Sequence, residues 1–158
     1  MKFQPGPQAF SIPVRVYYED TDAGGVVYYA NYLRFFERCR TEWMRFAGHD
    51  QSALSSEAGI GFVARKANCE YLKPARLDDL LTIVLEVEKL TRVRIVFRHH
   101  ARRGDEELVT GTVEGLAVGC LTGRVHLYEG WSPAEVVRIV RTLRLLGTVG
   151  EPINPEAW

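Results

Sequence analysis

The stretch that most constrains this chain runs from Tyr17 to Gly48, YYEDTDAGGVVYYANYLRFFERCRTEWMRFAG. From about Val26 onward, Tyr32, Phe36, Cys39, Trp43 and Phe46 recur at spacings of four, three, four and three, which keeps them on one face of a helix. A helix with so apolar a face has to be covered by other elements. Just upstream, Asp20 and Asp22 flank Thr21, and Ala23-Gly24-Gly25 follows. A carboxylate therefore stands immediately before a glycine turn that opens into the helix, whose positive N-terminal end favours negative charge.

The remaining sequence reads as the sheet that covers this helix. Val14, Val16 and Tyr18 alternate with Arg15 and Tyr17, which predicts a first strand over Ile12–Glu19 that delivers Asp20 and Asp22 to its end. Gly48 is placed to close the helix, and residues 49–59 read as a connector. Ile60–Leu72 reads as a strand, broken by Lys73-Pro74-Ala75-Arg76. Leu81, Ile83, Leu85 and Val87 alternate with polar partners, and after a turn near Lys89–Thr91 the run Val93, Ile95, Phe97 completes a hairpin. A long glycine-dotted strand follows over Leu108–Leu121, then a short one over Val125–Tyr128. Ser132-Pro133-Ala134-Glu135 has the form of a capping box and opens a C-terminal helix to about Leu146. The predicted class is α+β: a curved antiparallel sheet of five to six strands around one long helix, in one domain over residues 1–158 with its core over 12–146.

Charge and cysteine content exclude several functions. Twenty Lys and Arg balance twenty Asp and Glu, so bulk electrostatics favour neither nucleic acid nor an anionic membrane as partner. Cys39, Cys69 and Cys120 are odd in number and far apart, which argues for reduced thiols over a disulfide framework or a zinc site. The first residues, MKFQPGPQAFSIPV, lack a continuous apolar stretch, and no run of 18 apolar residues occurs anywhere, so neither a signal peptide nor an integral membrane segment is expected. A cytoplasmic location is expected.

The segment VRVYYEDTDAGGVVYYANYLRFFERCRTEW, with weaker support from YLKPARLDDLL at Tyr71–Leu81, resembles the signature of hotdog-fold acyl-CoA thioesterases. It is most similar to the Tol-Pal-associated (YbgC) branch, related to 4-hydroxybenzoyl-CoA thioesterase. The resemblance implies Asp22 as the catalytic carboxylate and the backbone amide of Tyr29 as the group that polarises the thioester carbonyl, with Tyr18 also at the site. Many members of the branch have histidine where this chain has Tyr29, so an imidazole role is absent, while a backbone N–H persists with any side chain but proline. The resemblance further implies an acyl-CoA substrate, no metal, no cofactor and a homodimer or homotetramer with its sites at the subunit interface; an acyl carrier protein is a possible partner.

The residue types fit that chemistry. Thioester hydrolysis needs a group that attacks or activates water and donors for the oxygen that becomes negative. Asp22 supplies the first, as nucleophile or general base; its structural alternative is a cap on the turn or helix. The amides of Gly25, Val26 and Tyr29 at the helix start are the natural donors for the second. Asp20 reads as structural, and a magnesium site on the Asp20–Asp22 pair lacks a third carboxylate nearby. Tyr28 and Tyr32 read as core rather than acyl pocket, and Glu37 is a spare carboxylate on an otherwise ion-paired helix face. For the coenzyme A phosphates the candidate cation is Arg94, which shares a strand face with Arg98 and Arg102; Arg65, Lys66, Lys73 and Arg76 are further candidates. Arg138, Arg141 and Arg144 on the terminal helix read as solvated, with a membrane or acyl carrier protein as the other use. Dehydration of a 3-hydroxyacyl thioester wants a histidine at the site, and none occurs before His49. A non-catalytic module that binds acyl-CoA or an acyl carrier protein is the alternative from another class.

Overall fold

The apolar face of the long helix finds its cover in one antiparallel sheet. The computed structural model describes residues 9–46, 52, 60–90, 94–119 and 126–127. In chain order these form β1 (Phe10–Arg15), a 3-10 turn (Tyr18–Asp20), α1 (Asn31–Phe46), β2 (Ile60–Tyr71), β3 (Leu80–Leu90), β4 (Arg94–Arg103), β5 (Glu106–Gly119) and β6 (His126–Leu127). The strands lie in the order β1-β3-β4-β5-β2, with β6 pairing β5. This is the α+β arrangement expected. The C-terminal helix, the Gly48 stop and most of the 49–59 connector lie outside the described residues.

Alternation in the strands sets which face meets α1. Leu81, Ile83 and Leu85 of β3, Ile95, Phe97 and Ala101 of β4 and Val109 of β5 join Tyr32, Phe35, Phe36, Cys39, Trp43 and Met44 of α1 in one core. Phe36 stacks on His99 at 4.6 Å, and Trp43 meets Phe97 edge-on at 5.5 Å. The helix comes so close at Phe36 that a Cβ on Gly111 would lie 2.7 Å from its ring and 3.1 Å from the Asn68 carbonyl oxygen. Burial pushes the Cys39 thiol up to about 12, which keeps it inert. Cys39 and Cys69 are both free.

Two boundaries and one core assignment differ from expectation. The first strand ends at Arg15 rather than Glu19, because the Asp20 carboxylate accepts the Tyr17 N–H at 2.8 Å and bends the chain into the 3-10 turn. The helix starts at Asn31, not Val26: the bridge between Thr21 and Val27 folds residues 22–28 back on the preceding segment first. Phe46 is not core; it is 59% exposed and packs on Phe10 at 5.4 Å.

His99 is fully buried on β4, and the Arg40 guanidinium of α1 donates to its Nε2 at 3.3 Å. Burial, reinforced by Arg40 and by neighbouring His100 against a Val84 backbone contact, pushes the imidazole down to about 3. The unfolded chain takes up a proton as pH falls below the ordinary histidine value, and the folded chain refuses it. Stability is therefore lost progressively from about pH 6.5 downward. Urea unfolding at pH 7 and pH 5 should show the parent losing about 2 kcal/mol more than His99→Gln. Gly111→Ala, which must displace Phe36, should cost about 1–3 kcal/mol in the same assay at pH 7.

Candidate active site

The carboxylate of Asp22 sits on a short loop whose shape comes from its own backbone. Asp22 N–H donates to the Val26 carbonyl and Gly25 N–H to the Asp22 carbonyl, both at 2.9 Å, while Asp22 Oδ1 accepts the Gly24 N–H at 2.8 Å. Gly25 makes the reversal with φ of 74°, the left-handed region that glycine enters without a Cβ penalty. A Cβ on Gly24 would stand 3.1 Å from Asp22 Oδ1, so the absence of a side chain there leaves the carboxylate its position. Asp22 is exposed, and its second oxygen accepts no hydrogen bond among the described residues. It caps this turn, not α1, which begins nine residues later.

Asp20 has the structural role expected of it. It is buried, and its Oδ1 accepts the Asn31 side-chain amide at 2.6 Å while its carbonyl accepts Tyr28 N–H at 2.9 Å. The acid thereby ties the 3-10 turn to the first residue of α1, where negative charge is favoured.

The late start of α1 changes which amides can serve an oxyanion. Gly25 uses its N–H on the Asp22 carbonyl, and Val26 and Tyr29 precede the helix instead of opening it. Among the described residues, the N–H groups of Val26, Tyr29 and Ala30 donate no hydrogen bond. The Tyr28–Tyr29 peptide is nonetheless oriented, because the Tyr28 carbonyl accepts Asn31 N–H at 2.8 Å. In a planar trans peptide, that directs the Tyr29 N–H the opposite way.

The connector between β2 and β3 holds this loop in place. Ala75 accepts the Val27 N–H at 2.9 Å; Asp79 and Asp78 exchange backbone bonds with Val16 at 2.9 and 3.0 Å. Arg103 fixes the connector by bonding Asp79 at 2.7 Å and Glu106 at 2.6 Å, and Lys73 adds a bond to Glu106 at 2.8 Å. Burial, the largest single influence, raises the Asp79 carboxyl, but the Arg76 backbone N–H and the Arg103 guanidinium together outweigh it and hold the group below its ordinary value. Lys73 and Arg103 likewise hold Glu106 low. The YLKPARLDDLL segment thus supports the Asp22 loop structurally, and Lys73 is ion-paired.

The other candidates are spread more widely. Tyr18 is 83% exposed, with its ring turned to solvent. Tyr32 is buried as expected, whereas Tyr28, expected in the core, is 47% exposed and lies 4.8 Å from the Tyr29 ring. Glu37 accepts from Thr41 on the exposed side of α1, and Arg45 pairs with Glu42. Arg94 shares Glu114 with Arg65, each at 3.3 Å, on the sheet face away from α1. On that face Arg98 pairs with Glu88, and Arg102 is buried and donates to the Asp105 carbonyl. One residue that sequence reasoning passed over belongs here: Tyr71, whose hydroxyl donates to the Tyr29 carbonyl at 3.0 Å.

The Thioesterase superfamily is matched over residues 24–110, more than half of the sequence. The chain belongs to the thioesterase superfamily. A relative from Haemophilus influenzae, the acyl-CoA thioesterase YbgC, is 47% identical over 105 residues, 66% of this chain and 77% of that one. A probable thioesterase from Bartonella henselae shares 35% identity with a TM-score of 0.70 over 75% of this chain and 98% of that one. The 4-hydroxybenzoyl-CoA thioesterase of Pseudomonas sp. strain CBS-3, at 22% identity and a TM-score of 0.73 over 84% and 99% of the two chains, has the same fold. The family and the hotdog fold implied by the sequence resemblance are thus both present, and thioester hydrolase is the enzyme class that membership carries. Gly25→Ala, which forces a side chain into the left-handed region, should cost about 1 kcal/mol in urea unfolding and lower thioesterase turnover through the displaced loop.

Proposed function

We propose that this protein is a cytoplasmic acyl-CoA thioesterase in which Asp22 performs the chemistry and the Tyr29 amide, helped by Val26, holds the oxyanion. The observation that carries the reading is an exposed carboxylate with one oxygen unused among the described residues, on a pinned loop that also presents amides with no acceptor among those residues. The YbgC relative supports the substrate class, and no described helix is long and apolar enough to cross a membrane.

As general base, Asp22 takes a proton from water while the oxygen attacks the thioester carbon. As nucleophile, its free oxygen attacks that carbon, and water then cleaves the resulting mixed anhydride and restores the carboxylate. In either case negative charge builds on the carbonyl oxygen, where fixed amide donors act without reorganising. The C–S bond then breaks, the coenzyme A thiolate leaves and takes up a proton, and one water has been consumed per free acid formed. Single turnover in 18O-water tests the nucleophilic route: label in Asp22 requires that water attack the Asp22 carboxyl carbon of the anhydride and the acyl carboxylate leave, which the general-base route never does.

Two copies complete the site in this reading. β2 is a sheet edge of 12 residues, and Phe62 and Val63 on its opposite faces are 37% and 41% exposed. An open edge with apolar residues on both sides is a template for pairing with its like. The exposed ring of Tyr18 then finds its surroundings in the second copy. Arg94 lies on the face away from α1, where it would meet a coenzyme A phosphate bound at a site on a neighbouring copy.

Asp22→Asn should lower turnover of acyl-CoA by about 10²-fold or more, with the unfolding midpoint unchanged. Release of free thiol from a panel of acyl-CoAs is the measurement. Parent-like release by the variant would sink the assignment of Asp22; saturable binding without release by the parent would select a binding module instead.

A further inference from the structure

We infer that Tyr71 is a positioning residue for the amide donors ahead of α1, an inference that rests on the thioesterase reading above. The two peptides flanking Tyr29 are held by different devices. Asn31 N–H bonds the Tyr28 carbonyl at 2.8 Å and so orients the Tyr29 N–H. The next carbonyl, that of Tyr29, accepts the Tyr71 hydroxyl at 3.0 Å from a residue 42 positions away in sequence. With both planes held, the dihedrals on either side of Tyr29 are constrained, and the donor cannot swing without breaking one of the two bonds. The same carbonyl belongs to the peptide whose N–H is that of Ala30, which has no acceptor among the described residues. A carbonyl that accepts a hydrogen bond makes the N–H of its own peptide a stronger donor, so Tyr71 also enhances a second candidate for the oxyanion.

The placement of Tyr71 suits this role. It closes β2, and its ring meets Tyr29 edge-on at 6.2 Å and Tyr32 at 5.8 Å. Tyr32 is a buried anchor of α1, so one ring contact of Tyr71 is fixed to the helix, while Tyr71 itself is 46% exposed and bridges from there to the loop. Burial, then the neighbouring Cys69, raises the Tyr71 hydroxyl to about 12, which keeps it protonated, and therefore a donor, across the working range of the enzyme. Tyr71 needs no contact with substrate. Its effect passes through the peptide it holds.

The test is Tyr71→Phe, which keeps the ring contacts and removes the hydroxyl. We expect kcat for acyl-CoA hydrolysis to fall about tenfold, equivalent to about 1.4 kcal/mol, with KM within about twofold of the parent and the unfolding midpoint unchanged. A rate loss confined to kcat is what removal of a transition-state interaction produces. As a second measurement, a trifluoromethyl-ketone analogue of acyl-CoA, held as a tetrahedral adduct, should lose affinity about tenfold while coenzyme A itself does not. Retention of parent kcat and analogue affinity by Tyr71→Phe, or a raised KM at parent kcat, overturns the inference. Asp22→Asn run alongside distinguishes the two levels: if it is inactive while Tyr71→Phe is parent-like, only the role of Tyr71 fails, whereas parent-like activity of Asp22→Asn removes the mechanism beneath both.

Discussion

The structure depends on how closely one helix can approach the middle of one sheet. Phe36 reaches the β5 backbone because position 111 has no side chain, and its ring lies flat on His99 of β4. Around that contact the remaining apolar residues of α1 fill both directions, Tyr32 and Phe35 toward the N-terminal end and Trp43 and Met44 toward the other. The depth of the helix sets the height of its first residue above the sheet. That height in turn decides whether Asn31 meets the buried Asp20 and whether the loop carrying Asp22 meets the connector at Ala75.

A polar cost is accepted at the same place. His99 occupies a core position that a hydrocarbon would fill, and it can do so only as a neutral ring. Its Nε2 acts as an acceptor for Arg40, so the guanidinium is partly satisfied by a base rather than by an acid. The pair links α1 to the centre of β4 with a directional bond, as the Cys39 thiol links it to the Ile83 carbonyl of β3 at 3.5 Å, in a layer held mainly by apolar packing. It thereby restricts sliding of the helix along the sheet.

Much of this was legible in the sequence, for identifiable reasons. The 3.6-residue period of Tyr32, Phe36, Cys39 and Trp43 and the alternation of Leu81, Ile83 and Leu85 are direct records of burial on one face, and the structure buries all of them. The boundaries at Glu19 and Val26 were not legible from hydrophobic periodicity, because each is decided by a local hydrogen-bonded contact that competes with the regular element. Asp20 bends the chain by accepting a neighbouring N–H, and the Thr21–Val27 bridge delays the helix across Val26-Val27-Tyr28-Tyr29, a β-branched and aromatic run whose strand preference is outweighed in a sequence reading by the helical period beyond it. Phe46 keeps the period yet faces outward, since the apolar surface of the sheet ends before the helix does. The part played by Tyr71 was hidden for a different reason: its partner is a main-chain carbonyl, and no side-chain pattern records the direction of a peptide plane.

The way the Asp22 loop is fastened bears on the order in which the molecule assembles. Its ties run to the β2–β3 connector, as in the Val27 N–H bond to the Ala75 carbonyl, and to the end of β2 through Tyr71. None of these anchors exists until β2 and β3 have been laid into the sheet, so the loop, whose turn is closed by its own backbone, is fixed in place only after long-range closure, whose entropy must be met first. By the same reasoning it is released early in partial opening, when the connector lifts and the hairpins remain. The placement of the Asp22 loop is thus the last feature acquired in folding and the first surrendered.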